Sequence, residues 1–288
     1  MHSALSIISL LMLPGYGRKT VHKLLPRISY DVLSANDIVD LLQSHAQQIK
    51  GLKIPSIENA KTAYTDALDI IRRSEDYGIT IHLYGDSGFP KRLNSIPDSP
   101  LVMYTKGNLL NTQSQRSLAL IGTRKPKETT RKTSFVVGTR LAQQGITVVS
   151  GLAAGCDTEA HLGCLDAQGL TLAVLAHGLD TVSPTQNKEL AHRIVAEGGC
   201  LVSEYPLGAP ARRNHFVERD RLQSGLSDGV IVLECSVDSG SMHTVKYGEK
   251  QGRPVGAIVG KDAKGMGKQF SGNRMLIESG RATPLVDR

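Results

Sequence analysis

The fold class is decided by residues 117–159, which read SLALIGTRKPKETTRKTSFVVGTRLAQQGITVVSGLAAGCDTE. An apolar run ends at Gly122-Thr123-Arg124, a basic and helix-compatible segment follows, and a second apolar run ends at Ser150-Gly151. This order of strand, glycine turn, helix, strand and glycine turn is typical of a parallel βαβ sheet. Both turns would then lie at the carboxyl ends of strands, where such sheets bind ligands.

The same alternation continues to the end of the chain. Strands are predicted at 118–121, 146–150, 171–176, 200–204, 229–234 and 255–259, with helices between them. We therefore predict an α/β fold: an extended Rossmann-like, doubly wound, mainly parallel sheet over residues 117–288. A connector with an extra strand is predicted at 81–116, and a small helical domain at 1–80.

The helical domain contains LLMLPGYGRKTVHKLL, residues 10–25, which resembles a helix-hairpin-helix. The backbone N–H groups of its glycine turn could hold a phosphate, as such groups do in other turns. The alternative is a helical hairpin that serves only for packing, and the sequence leaves both open.

Charge points to an acidic partner. The 288-residue chain has a formal net charge of +7 and a pI near 9.2. Residues 116–140 hold seven Lys or Arg against one acidic residue, Glu128. Nucleic acid is the commonest partner of such proteins. Aromatic residues make up only 4% and Trp is absent, which argues against broad base-stacking platforms.

Composition also limits the cofactors and the compartment. The four cysteines form no CxxC pair, so we expect buried, reduced thiols and no metal site. No apolar stretch is long enough to span a bilayer. The apolar run at 4–13 is preceded by no Lys or Arg, unlike a secretory signal peptide. We expect a cytoplasmic protein without a membrane partner or a cofactor.

Three turns and one helix supply the candidate phosphate-binding residues. Glycine and small residues at strand ends let a phosphate approach the backbone, and arginine adds a fork suited to its oxygens. The turn candidates are Gly122, Thr123, Arg124, Lys125, Ser150, Gly151, Ala153, Gly155, Ser239, Gly240, Ser241 and Thr244. Asp157 is expected to cap the following helix, and a structural role is favoured for His161. Glu234 lacks a partner carboxylate, His or metal at a recognisable spacing, so no catalytic residue is predicted.

These motifs together resemble the DNA-processing protein A family of natural transformation. The resemblance runs in order from about residue 83 to 280. It includes YGDSGFPKRLNSIPDSPLVMYTKGNL, the Gly-Thr-Arg turn, SGLAAGCDTEAH, LTLAVLAHGLD, LVSEYPLG, FVERDRLQSGLS, the Ser-Gly-Ser turn with Thr244, and Gly272-Asn273. The family's usual Arg-Asn-Arg stands here as Arg219-Asp220-Arg221.

The resemblance implies a function without catalysis. It implies a single-stranded DNA-binding protein that forms homodimers, protects incoming strands and loads the RecA recombinase. The context would be natural transformation or recombination. Carried over to this sequence, the DNA contacts would be Arg124, the Ser150-Gly151 turn, Arg219 and Arg221. Asn273, in the last matched motif, joins the candidate set.

Two alternatives belong to other classes. One is a Rossmann-like nucleotide-binding sensor, for example in phage defence, which would need an enclosed pocket. The other is a nucleotide phosphoribohydrolase with a Pro-Gly-Gly-x-Gly-Thr-x-x-Glu motif. Here Tyr247 stands three residues after Thr244, where that motif has its glutamate, which disfavours the enzyme.

Overall fold

The apolar runs of the sequence become the strands and helix faces of two compact units. The computed structural model describes residues 3–28, 30–110, 115–259 and 267–286. The smaller unit comprises 1–89 and 98–104, and the larger comprises 90–97 and 105–288. The predicted domain boundaries at residues 80 and 116 stay a prediction, since compactness alone does not define a domain.

The smaller unit is mainly helical because serine caps repeatedly precede apolar, helix-forming segments. Its helices are α1 (Ala4–Met12), α2 (Arg18–Leu24), α3 (Ala35–His45) and α4 (Ile57–Asp76). The side chains of Ser3, Ser34 and Ser56 accept hydrogen bonds from backbone N–H groups three residues later. The predicted hairpin between α1 and α2 is present, and Gly15 takes φ +82 in its turn.

Two strands and a short helix lie between the helices of the smaller unit and the main sheet in the sequence. They are β1 (Thr80–Leu83), α5 (Lys91–Asn94) and β2 (Val102–Gly107). Strand β2 starts among the residues of the smaller unit and ends among those of the larger. The extra strand predicted in the connector is therefore present.

The larger unit follows the predicted alternation of strands and helices. Its strands are β3 (Ser117–Ile121), β4 (Thr147–Ser150), β5 (Thr171–Leu175), β6 (Cys200–Ser203), β7 (Gly229–Val232), β8 (Val255–Val259) and β9 (Thr283–Val286). Its helices are α6 (Glu128–Gln143), α7 (Cys156–Asp166), α8 (Lys188–Ala196), α9 (Arg213–Gly225), α10 (Ser241–Lys250) and α11 (Ser271–Glu278). Strand β9 was not predicted.

In the described part of the larger unit, seven parallel strands lie in the order β6-β5-β4-β3-β7-β8-β9. The chain winds outward from β3 to β6 and then returns to place β7 on the other side of β3. This is the doubly wound Rossmann-like fold predicted from the sequence, with its switch point between β3 and β7. Ligands of such sheets bind in the crevice beyond the carboxyl ends of the two switch-point strands.

Successive residues of β3 pack on opposite faces of the sheet. Ala119 and Ile121 pack in one apolar cluster with α10 and α11 residues, and Leu120 packs in another with α6 and α7 residues. The four cysteines are buried and free, as expected for reduced thiols. None of the helices in the described residues has the length and apolarity to cross a membrane.

Candidate functional site

A pocket of about 650 Å³ opens at the switch point, beyond the carboxyl ends of β3 and β7. It is contained entirely in the larger unit. The lining residues are Ile121, Gly122, Thr123, Arg124, Ala153, Asp157, Arg213, Phe216, Val217, Arg219, Asp220, Gln223, Asp238, Ser239, Gly240, Ser241, His243 and Thr244. Its volume lies within the range of about 300–1,000 Å³ that is usual for ligand pockets.

The turn after β3 presents its arginine to this pocket. A Cβ on Gly122 would lie 2.5 Å from Cys156 Sγ, so close packing against α7 requires glycine there. The Thr123 N–H donates to the Glu234 carbonyl at 2.8 Å, which holds the turn against the end of β7. Arg124 is exposed, and its guanidinium carbon lies 5.0 Å from the centre of the Phe216 ring. Lys125 is exposed beside it.

The turn after β4 is closed by its own chain, which corrects part of the predicted site. The N–H groups of Gly151 and Ala153 both donate to Asp157 Oδ2, at 3.1 and 3.3 Å. The Ser150 hydroxyl is buried and donates to the Leu120 carbonyl at 2.7 Å. These donors are therefore unavailable to a phosphate. The predicted helix cap is wrong: Gly155 is the N-cap of α7 and no side chain caps it, whereas Asp157 accepts from the N–H groups of the preceding turn.

Gly155 also has a packing role. It has φ +84, and an added Cβ would lie 2.6 Å from the Thr123 carbonyl oxygen. Glycine at this position allows the turn after β4 to pack against the turn after β3. The predicted phosphate contact at Gly155 is replaced by this packing contact between the two turns.

Helix α9 directs its two predicted arginines to different places. Arg219 lines the pocket but is only 4% exposed, and its guanidinium donates to the Val174 carbonyl. Arg221 is 1% exposed and donates twice to the Glu204 carboxylate, at 2.8 and 2.7 Å. The two residues are separated by Asp220, so they point to different sides of the helix. The predicted DNA contact of Arg221 is corrected: its charge is buried in an ion pair outside the pocket.

The turn before α10 contributes the opposite wall. Ser239, Gly240, Ser241 and Thr244 all line the pocket. The Ser241 hydroxyl donates to the Gly122 carbonyl at 3.0 Å, which joins this wall to the first turn. The Thr244 hydroxyl donates to Gln223 Oε1 at 3.2 Å.

Asn273 lies in the interior, outside this pocket. Its amide oxygen accepts from the Cys235 N–H at 2.9 Å, and its amide nitrogen lies 3.1–3.2 Å from the carbonyls of Val232, Leu233 and Ile258. It is fully buried. Its role is to tie together the ends of β7 and β8, so its predicted phosphate contact is corrected as well.

The Asp220 carboxylate, at the floor of the pocket, is largely buried and has a raised pKa. The Asp220 side chain is 13% exposed, with Oδ1 3.4 Å from Arg219 Nε. Burial raises the pKa of Asp220 to about 7, with the charge of Asp157 adding to the rise and the charges of Arg219 and Arg124 opposing it. Burial likewise raises the pKa of Asp157, against the attraction of Arg219. The charge of the floor therefore changes near neutral pH.

Two other titratable side chains, those of His161 and Glu234, are buried and hydrogen-bonded within the fold. His161 is fully buried with Nδ1 2.6 Å from the Thr171 hydroxyl, and burial lowers its pKa to about 3. Glu234 is 1% exposed and accepts a 2.5 Å hydrogen bond from the Thr130 hydroxyl. Within the described residues, no three His, Cys, Asp or Glu side chains form a group that could hold a metal ion.

A protein-family model matches most of the chain. A sequence profile of the family described as DNA recombination-mediator protein A matches residues 80–288. The chain belongs to this family. Protein Smf of Synechocystis sp. is 40% identical over 173 residues, which cover 59% of this chain and 43% of that protein. The chain thus spans less than half the length of that relative.

Solved structures of DNA processing protein A are similar over more of the chain. The protein from Streptococcus pneumoniae aligns with a TM-score of 0.79 at 28% identity, covering 98% of this chain and 94% of that one. The protein from Helicobacter pylori aligns with a TM-score of 0.64 at 26% identity, covering 72% and 90%. The latter structure concerns the single-stranded DNA binding mode of that protein.

In this member of the DNA recombination-mediator protein A family, sequence reasoning missed part of α9. Phe216, Val217, Asp220 and Gln223 all line the pocket. They recur at spacings of three and four, which places them on one helix face. That spacing was readable from the sequence, but nothing in it showed that this face, and not the face of Arg221, turns toward the strand ends.

Proposed function

We propose that this chain binds single-stranded DNA, with the phosphates of the strand along the rim of the switch-point pocket. The observation that carries the proposal is Arg124. It is exposed at the opening of the pocket, and among the described residues it has no ion pair that would compete with a phosphate. Lys125, in the same turn as Arg124, is also exposed, as is Arg213 at the start of α9.

The shape of the surface favours a single strand over a duplex. The rim is made of turns and the start of α9, and no described element stands out as a helix or ribbon for the major groove. The Phe216 ring beside Arg124 offers a small stacking surface, and stacking on aromatic rings requires unpaired bases. We therefore expect the backbone to contribute most of the affinity, with little sequence selectivity along the strand.

The wider role follows from the family. We propose that the chain protects single strands and loads RecA, as a homodimer in the cytoplasm, during transformation or recombination. Support comes from the family match and from relatives that bear the name DNA processing protein.

We also propose that the protein binds without catalysis. Tyr247 occupies the position where a phosphoribohydrolase motif would have glutamate. Glu234, at the end of β7, is buried and accepts the hydrogen bond of Thr130. Release of free base from nucleotide monophosphates, abolished by Glu234→Gln, would contradict this part of the proposal.

A titration of single-stranded DNA, duplex DNA and mononucleotides at two salt concentrations tests the main proposal. We expect preference for the single strand and a steep salt dependence, with a slope of about 0.7 per neutralised phosphate. Equal binding to duplex, or a flat response to salt, would overturn it. Tight binding of a mononucleotide alone would favour the nucleotide sensor instead.

A further inference from the structure

The pocket-facing side of α9 changes in chemical character with depth. Arg213 is exposed at its start, Phe216 is half-buried one turn later, and Asp220 follows one turn below. Gln223, at the next step, is 3% exposed. All four line the pocket. A cation, an aromatic ring and hydrogen-bonding groups therefore succeed one another from rim to floor.

This order matches the parts of one nucleotide. A phosphate suits the cationic rim, and a base suits an aromatic ring followed by hydrogen-bonding groups. The pocket of about 650 Å³ lies in the size range of sites for small ligands. A phosphate backbone needs only the cationic rim. The Phe216 ring and the polar floor are suited to a group that extends from the strand into the pocket.

The carboxylate of Asp220 is placed to meet that occupant. Within the described residues its direct partner is the Arg219 guanidinium, with 3.4 Å between Nε and Oδ1. That contact leaves Oδ2 and the second lone pair of Oδ1 to accept hydrogen bonds in the pocket lining. The groups that face it from neighbouring elements are Arg124 after β3 and Asp157 at the start of α7.

A carboxylate discriminates among the four bases. Guanine presents its N1–H and its exocyclic amine side by side, and the two donors match the two oxygens of a carboxylate. Adenine and cytosine place an acceptor nitrogen beside the amine, which a carboxylate repels. Thymine has one N–H between two carbonyls.

We propose that the switch-point pocket takes one base of the bound strand, and that Asp220 accepts hydrogen bonds from its edge and prefers guanine at that position. The inference rests on the proposed single-stranded DNA binding and adds a single selective position to an otherwise unselective strand.

The test compares 12-nucleotide oligonucleotides in competition for the full chain. One contains only thymine, and the others carry a single central guanine, hypoxanthine, adenine or cytosine. A fitting bidentate contact discriminates by about fivefold or more. We expect guanine to improve the affinity by about that factor, and hypoxanthine, which lacks the exocyclic amine, to lose most of the gain.

Two variants separate the role of Asp220 from general electrostatics. Asp220→Asn removes one acceptor and the charge, so it should abolish the guanine preference while all-thymine strands still bind. Glu189→Gln is the control, because Glu189 on α8 is an exposed carboxylate that does not line the pocket. It should retain the preference.

A pH series adds an independent readout. Ionised Asp220 accepts from guanine, whereas the protonated form carries a donor on one oxygen. The guanine preference should therefore grow between pH 6 and pH 8, around the pKa of about 7, and the Asp220→Asn variant should lack this growth.

Each failure has its own meaning. Equal affinity for all five oligonucleotides, or a guanine preference that persists in Asp220→Asn, overturns the base contact and leaves single-stranded DNA binding intact. Failure of every oligonucleotide to bind, including all-thymine, overturns the proposed function and the base contact with it.

Discussion

Two glycine turns that look alike in the sequence have opposite roles in the structure. The turn after β3 holds Arg124 exposed at a pocket and leaves its guanidinium without an acidic ion pair among the described residues. The turn after β4 directs its N–H groups at Asp157, while the Ser150 hydroxyl donates to the backbone of β3. The first turn leaves its arginine exposed at the pocket, and the second satisfies its donors within the fold.

The difference shows what makes a glycine turn a binding site. Glycine permits close approach of a phosphate, but binding also needs donors or charges that the protein itself has not satisfied. The carboxylate of Asp157, six residues after Gly151, accepts hydrogen bonds from the backbone N–H groups of the second turn. The same contrast holds between Arg124 and the buried Arg221, and four substitutions can sharpen or break it.

The largest effect is expected for Arg221→Ala. The variant removes the buried guanidinium that donates twice to the Glu204 carboxylate, and breaking a buried ion pair costs about 3–5 kcal/mol. Because Glu204 keeps 14% exposure, we expect the lower end, about 3 kcal/mol, in the free energy of unfolding measured with denaturant. The folded protein should bind DNA normally.

A second variant, the pair Arg221→Met with Glu204→Leu, should recover much of that stability because both charges of the buried pair are removed. A stable Arg221→Ala protein that no longer binds DNA would show that Arg221 is a ligand contact and would break the comparison.

Asp157→Ala should have the next largest effect. It leaves the N–H groups of Gly151 and Ala153 without their acceptor, and buried donors left unpaired cost about 1–3 kcal/mol. We expect the free energy of unfolding to fall by about 2–3 kcal/mol. Asp238→Ala, which removes an exposed carboxylate from the rim, should change it by less than about 0.5 kcal/mol. Equal stability of the two variants would mean that the second turn does not depend on Asp157.

Arg124→Ala should weaken DNA binding without unfolding the protein. One charge-assisted phosphate contact is worth on the order of 1–3 kcal/mol, so the affinity should fall about 5- to 150-fold. Fluorescence anisotropy and a thermal melt on the same sample measure both quantities. Arg193→Ala is the control, because Arg193 on α8 pairs with Asp166 and Glu197 and does not line the pocket. A much lower melting temperature for Arg124→Ala would show a structural role.

The smallest effect is expected for Asp220→Asn on strands of thymine. Repulsion between a carboxylate and a phosphate is about 1 kcal/mol at ~4 Å in water, and more in a half-buried groove. Removing it should tighten binding several-fold, most clearly at low salt. Weaker binding would instead identify Asp220 as an organiser of Arg219 or as a contact of another group, such as a ribose hydroxyl.

The same variant has a stability signature with a definite sign. The pKa of Asp220 is raised to about 7 in the folded protein, against about 3.9 in an unfolded chain. Its protonation therefore stabilises the fold fully below about pH 4, and that contribution is lost as pH rises to about 7. Denaturant titrations across this window should show a fall in stability for the native chain that Asp220→Asn lacks.

Most of the fold could be predicted because its signals are local. The strands from β3 to β8 were found from apolar runs ending at small residues. Strand β9 was missed because Thr283-Pro284-Leu285-Val286 contains proline and is short, which reads as a loop. Its strand character comes from pairing with β8, and no local pattern encodes that contact.

The site was predicted less completely, for a physical reason. Gly122, Arg124 and the Ser239-Gly240-Ser241 turn line one pocket, since the carboxyl ends of parallel strands meet at one edge. Ser150, Arg221 and Asn273 were assigned by type and position. Their actual partners, Leu120, Glu204 and the ends of β7 and β8, lie elsewhere in the chain.

The sequence by itself determined the alternation of strands and helices, the positions of the glycine turns and the family, because all three depend on residue order. Only the tertiary structure decided which turn stays open, which arginine of α9 is buried and how deep Asp220 lies. Those outcomes depend on which donors and acceptors meet after folding, and a buried polar group takes whichever partner the packed chain brings within hydrogen-bonding distance.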